Sequence, residues 1–121
     1  MKYGLSEKQL DQIINCLLKF PEVEEARLFG SRALETFKEA SDVDIAILGE
    51  KVDFSLALSI KNELEEETYL PFFFDMVAFN TIDNPSLKEH IEKHSQVIYQ
   101  RKSESSLQET NPLRRSAGIP R

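Results

Sequence analysis

Apolar positions along the chain follow two rhythms, one of helical period and one of strand period. Between Ser6 and Lys19, Leu10, Ile13, Ile14 and Leu17 recur at helical spacing, which stacks them on one face of a helix. Ser6 and Gln9, three apart at the start of that run, form a capping box. Phe20-Pro21 ends it, because a residue before proline is pushed out of helical geometry. Val23 to Phe29 reads as a strand, with Ala26 and Leu28 on one face and Arg27 and Phe29 on the other, ending at Gly30. Val43 to Leu48 reads as a second strand, rich in β-branched residues and bounded by Gly49. Arg32 to Ala40 contains no breaker and suits a short helix with Ser31 as its N-cap. That short connection predicts that the two strands are antiparallel neighbours.

The same reading continues downstream. Asp53 to about Glu67 is expected to be a helix with Phe54, Ala57, Leu58 and Leu64 facing in, and Leu56 and Ile60 widening the stripe. The acidic run Glu63 to Glu67 at its end reads as a solvated face. Pro71 opens a third strand, Phe72 to Phe79, apolar on both faces except at Asp75 and therefore expected to be covered on both. The intervening helix predicts a right-handed crossover, so this strand should run parallel to the second. Asn84-Pro85 supplies an N-cap and an N1 proline for a last helix, with Leu87 and Ile91 inward. Val97 to Tyr99 suits a short edge strand. The fold class is α/β (α+β), a mixed sheet of three to four strands with helices packed against it. Residues 1–100 form one small domain, and 101–121, without periodic apolar positions, read as a flexible tail.

Charge narrows the possible partners. The whole chain carries 15 basic and 21 acidic residues, net −6. Residues 101–121 hold five basic and two acidic residues, which leaves ten basic and nineteen acidic in the body, net −9. An acidic body is a poor electrostatic match for a nucleic-acid backbone, so none is expected as a ligand. No apolar run is long enough to span a membrane, and the N-terminus lacks the apolar stretch of a signal peptide. Cys16 is the single cysteine and reads as a small buried hydrophobe in a reducing, cytoplasmic setting. His90 and His94 are four apart but lack the glutamate placement of a zinc-protease helix. A solvated or partly packed pair is the expectation.

One stretch carries candidate chemistry. Gly30-Ser31 is followed by ten residues and then Asp42-x-Asp44, at the start of the second strand. Glycine lets the backbone approach a ligand closely, and a helix starting there points N–H groups outward toward a phosphate. Asp42 and Asp44, two apart on a strand, face the same side. Like charges held together repel and raise each other's pKa, which a hard divalent cation such as magnesium relieves. Asp75, alone in a run of Phe, Met and Val, needs a partner or a metal to offset its desolvation. A phosphate cradle beside a metal site is what nucleotidyl transfer requires.

Gly30-Ser31, the ten-residue gap, Asp42-x-Asp44 and the later strand carboxylate Asp75 resemble the signature of the DNA polymerase β-like nucleotidyltransferases. Arg32-Ala33, Ser41 and the closing Ser95 to Tyr99 are similar to the minimal nucleotidyltransferase (MNT) branch, over roughly residues 5–100. Many relatives have a glycine shortly after Arg-Ala, where this chain has Leu34-Glu35. The resemblance implies catalytic and metal-binding roles for Asp42, Asp44 and Asp75, nucleotide contacts from Gly30, Ser31 and Arg32, two Mg2+ ions, and ATP or another NTP as substrate. Larger relatives carry a second, helical domain that helps hold nucleobase and acceptor. In the minimal branch the resemblance implies instead a partner of the HEPN type, an all-helical toxin with RNase activity, in a hetero-oligomer. The nucleotidyltransferase acts as antitoxin by transferring AMP to a toxin tyrosine. A non-catalytic subunit that neutralises its partner by contact is the alternative. Small-molecule nucleotidylation is the third reading, carried by larger relatives.

Overall fold

In a computed structural model, residues 2–38 and 41–101 are described. Helix α1 (Glu7–Leu18) leads into β1 (Glu25–Phe29), the short α2 (Gly30–Ala33), β2 (Val43–Leu48) and α3 (Phe54–Glu66). Strand β3 (Phe74–Ala78), a 3-10 turn (Phe79–Thr81), α4 (Pro85–His94) and β4 (Gln96–Gln100) complete the order. One sheet runs β3-β2-β1-β4. Strand β1 is antiparallel to both β2 and β4, and β2 is parallel to β3, so the sheet is mixed.

Strand alternation divides the interior in two. Ala26, Leu28, Val43, Ile45, Ile47, Phe74, Met76 and Ala78 project to the face where α1 and α3 supply Ile13, Leu17, Ala57, Ile60 and Leu64. The opposite face holds a smaller cluster of Phe29, Ala46 and Ile91, flanked by Val77 and Leu87, so α4 covers that side. Cys16 lies in the larger cluster, and burial, with a smaller push from Glu63, moves its thiol up to about 11. It packs there as a small hydrophobe, inert as a nucleophile near neutral pH.

The caps of α1 and α4 match the sequence. Ser6 and Gln9 close a reciprocal capping box on α1, Asp53 caps α3, and Asn84 caps α4 with Pro85 in its first turn. Glu63 and Glu65 in the acidic run of α3 are not simply solvated. Glu63 pairs with Lys19 at 2.7 Å. Glu65 pairs with Lys61 and accepts the Phe74 N–H at 2.7 Å. Glu65 thus ties α3 to the start of β3.

Three expectations need correction. Phe54 and Leu58 do not face in: they are 70% and 45% exposed. The inward stripe is Ala57, Ile60 and Leu64, and Leu58 stands about 100° around the helix from Ala57. Strand β3 begins at Phe74 rather than Phe72, and only its Phe74, Met76 and Ala78 face is closed, Asp75 being exposed. The helix expected over 32–40 with Ser31 as N-cap is instead one turn, Gly30–Ala33, with Phe29 in the N-cap position. Leu34 caps that turn and Glu35 enters the left-handed region at φ 59°, which breaks the helical path. Glu35 adopts there a conformation that glycine takes without steric cost. The tail over 101–121 lies outside the described residues except for Arg101, whose N–H donates to Glu24 O at 2.8 Å.

Candidate active site

Antiparallel pairing brings the end of β1 to the start of β2, with Phe29 opposite Asp44. Gly30, the next residue, has φ 75°, and a Cβ built on it would stand 2.2 Å from Asp44 Oδ2. Glycine is therefore required twice over, by the backbone conformation and by the carboxylate against its Cα. Parallel pairing on the other side of β2 sets Asp44 opposite Asp75. Registered residues of neighbouring strands project to the same side, and Asp42, two residues before Asp44, shares it. Asp44 thus stands between the glycine corner and Asp75, with Asp42 on the same side, where one face of the sheet ends.

Their surroundings differ. Asp42 and Asp75 are exposed and Asp44 is half-buried. Burial, then Asp75, then Asp42 push the Asp44 carboxyl up to about 6, while Arg32 pulls the other way. Asp44 is thus the carboxylate that would gain most from a cation. Among the described residues no three acidic, histidine or cysteine side chains are gathered closely enough to form a ready-made metal cage. The donor set of hard oxygens on one face suits magnesium.

Arg32 stands apart from the group expected to touch nucleotide. Its side chain is turned into the protein and is 1% exposed. Nη2 donates to Ser41 O at 2.8 Å, Nη1 to Tyr3 O at 2.9 Å, and Nε lies 3.3 Å from both Ser41 O and Asp42 O. The guanidinium also sits 5.0 Å from the Phe37 ring centroid and 4.9 Å from that of Phe72. Burial lowers its pKa, and Asp44 and Asp42 counter that. The planar fork thus fastens the backbone that presents Asp42, a reach that a lysine ammonium does not reproduce.

Sequence reasoning missed His90. From α4 it approaches the corner, where its Nε2 accepts the Gly30 N–H at 3.1 Å, and its ring meets Phe29 edge-on at 6.2 Å. No local signal marks this contact, because the partners are sixty residues apart. Ser31 is half-buried beside it in the first turn of α2.

A mixed sheet with a glycine corner and three carboxylates at one end of a face defines a nucleotidyltransferase-type domain. The sequence matches the family described as polymerase beta, nucleotidyltransferase, over residues 11–104, and the chain belongs to that family. It is 36% identical over 75 residues, 59% of this chain and 71% of the relative, to a Methanocaldococcus jannaschii protein named as a putative protein adenylyltransferase. Solved structures share the fold. A toxin–antitoxin with AMP-PNP superposes with TM-score 0.65 at 22% identity, covering 81% of this chain and 78% of that one. A complex of tri-AMPylated Shewanella oneidensis HEPN toxin with its MNT antitoxin gives 0.58 at 20% identity, covering 81% and 75%. The toxin–antitoxin MntA-HepT gives 0.61 at 19% identity, covering 84% and 79%. The chain is thus a nucleotidyltransferase by family and by fold. Among the described residues no helix is long and apolar enough to cross a membrane.

Proposed function

We propose that this protein transfers AMP from ATP to a hydroxyl of a partner protein, as the antitoxin of a HEPN-type toxin. The observation that carries the reading is the register of Asp44 against Asp75, with Asp42 on the same side and Gly30 packed on Asp44. Asp42, Asp44 and Asp75 would hold Mg2+, with two ions suited to the three carboxylates. Bound there, the metal supplies charge neutralisation for the phosphates and for the attacking oxygen. Gly30 leaves room for the ligand, and Ser31 lies where the triphosphate would enter. Arg32 fixes the Ser41–Asp42 backbone from behind. Asp75 takes the proton of the acceptor hydroxyl as the new oxygen–phosphorus bond forms and the bond to pyrophosphate breaks. The acidic body, net −9 over residues 1–100, speaks against nucleic acid as acceptor. The name of the archaeal relative and the AMPylated toxin of the Shewanella complex support a protein acceptor and a HEPN partner.

The competing reading is a subunit that neutralises its partner by contact and uses the site only to hold nucleotide. Incubation with labelled ATP, Mg2+ and the partner protein tests both. Label on the partner that depends on Mg2+ supports transfer. A tight complex without label overturns catalysis and leaves the contact reading.

A further inference from the structure

The Gly30 corner is held from two sides. Its Cα rests against the Asp44 carboxylate, and its N–H is taken by His90 Nε2 at 3.1 Å. The imidazole is fixed by more than that bond. Its ring lies edge-on to Phe29 at an interplanar angle of 76°. The next residue, Ile91, is fully buried against the cluster containing Phe29 and Ala46. Helix α4 is set at its start by the Asn84 cap and Pro85. Burial of Ile91 therefore fixes the α4 backbone at His90 beside the corner, and the Phe29 edge contact and the Gly30 bond hold the ring there.

We propose that His90 is a positioning residue for the nucleotide site: it clamps the Gly30 amide and so holds the glycine corner against Asp44. This deepens the nucleotidyl-transfer reading and rests on it. An Nε2 that accepts a hydrogen bond carries no proton, so the ring is the neutral tautomer protonated at Nδ1. The Gly30 N–H opens a helical turn and has no partner within it, so it would otherwise turn to solvent or to an incoming phosphate. With that donor committed to His90, the corner is already held in one geometry before ligand arrives. Prior ordering of this kind strengthens binding, because less freedom is lost when the ligand arrives. Once ligand is bound it holds the corner itself, so the clamp acts on affinity more than on turnover at saturation.

The test uses the full chain. Nitrogen-15 NMR of the histidine rings should show His90 protonated at Nδ1, with the Gly30 amide shift unchanged in character when Mg2+ and a non-hydrolysable ATP analogue are added. His90→Leu removes the acceptor and keeps an apolar filling. It should weaken binding of the magnesium–analogue pair about fivefold, the worth of one neutral hydrogen bond. In the transfer assay KM for ATP should rise by a similar factor while kcat changes less than twofold. His90→Gln offers an amide oxygen at the place of Nε2 and should restore affinity to within about twofold of the parent. Four results overturn the clamp: a ring protonated at Nε2, release of the Gly30 amide from His90 on nucleotide binding, parental affinity in His90→Leu, or equal loss in both variants. If His90→Leu fails to fold, the ring tautomer and the Gly30 amide of the parent decide the matter. If the parent binds nucleotide but transfers nothing, the transfer reading falls while the binding and NMR results still judge the clamp.

Discussion

Asp44 stands opposite Asp75 across the parallel pairing of β2 and β3, and Asp44 is the carboxylate raised to about 6. Its surroundings oppose ionisation by burial first and by two like charges after it. An acid raised in the folded state holds its proton more readily than in the unfolded chain. Its contribution to metal-free stability is fully present below the unfolded value, 3.8, and is lost as the pH rises through about 6. Asp44→Asn removes that loss. The difference in metal-free melting temperature between Asp44→Asn and the parent should therefore grow in favour of the variant between pH 4 and pH 6, bounds taken from those two values. Magnesium should reverse the order at neutral pH by binding only the parent tightly. A variant less stable than the parent at pH 7 without metal would show that the three carboxylates do not repel.

Gly30→Ala places a methyl group where Asp44 Oδ2 already lies and forces a left-handed backbone on alanine. The backbone term alone costs about 1–2 kcal/mol, and the clash displaces Asp44. Urea unfolding should show at least that loss, and titration calorimetry should show loss of magnesium–nucleotide binding. Ser31→Ala should be much milder in both assays, because backbone donors remain. Equal effects would mean that the corner is not shaped by the Gly30–Asp44 contact.

Arg32→Ala leaves the carbonyls of Tyr3, Ser41 and Asp42 without the guanidinium they face, in a site the arginine fills almost completely. The expected loss is about 3–5 kcal/mol in urea unfolding. Arg32→Lys should lose part of that, because an ammonium cannot serve carbonyls on several sides. Nucleotide affinity should fall only as far as folding does. A lysine variant with parental stability and no nucleotide affinity would make Arg32 a direct phosphate ligand.

Asp75 belongs to a different strand from Asp42 and Asp44, and β3 lies on the side of β2 away from Gly30. On the proposed transfer reading, nucleotide binds on the β1 side and the acceptor arrives from the β3 side. Asp75→Asn should keep most of the magnesium–ATP affinity, read by calorimetry with a non-hydrolysable analogue, and lose label transfer to the partner. Joint loss of binding and transfer would place Asp75 on the nucleotide side.

The sequence by itself determined the order of the four strands and of the three longer helices. It also determined the capping box of Ser6 and Gln9, the antiparallel and parallel pairings of β2, and the coming together of Gly30, Asp44 and Asp75. These follow from local chemistry and from the alternation of strand faces, which a one-dimensional pattern carries. Only the tertiary structure decided the rest. Arg32 directly follows Gly30-Ser31 in sequence and is expected from that place to touch nucleotide, yet the carbonyls of Ser41, Asp42 and Tyr3 take its side chain, which no spacing rule could tell. Phe54 and Leu58 fit a helical stripe, but the width of the buried face depends on what the helix packs against. His90 is an ordinary helical histidine until α4 lies across the sheet and brings Nε2 to the Gly30 amide. A side chain's hydrogen-bond partner is set by where the chain returns in space, and that is settled by the packing of the whole sheet with its helices rather than by near neighbours in sequence.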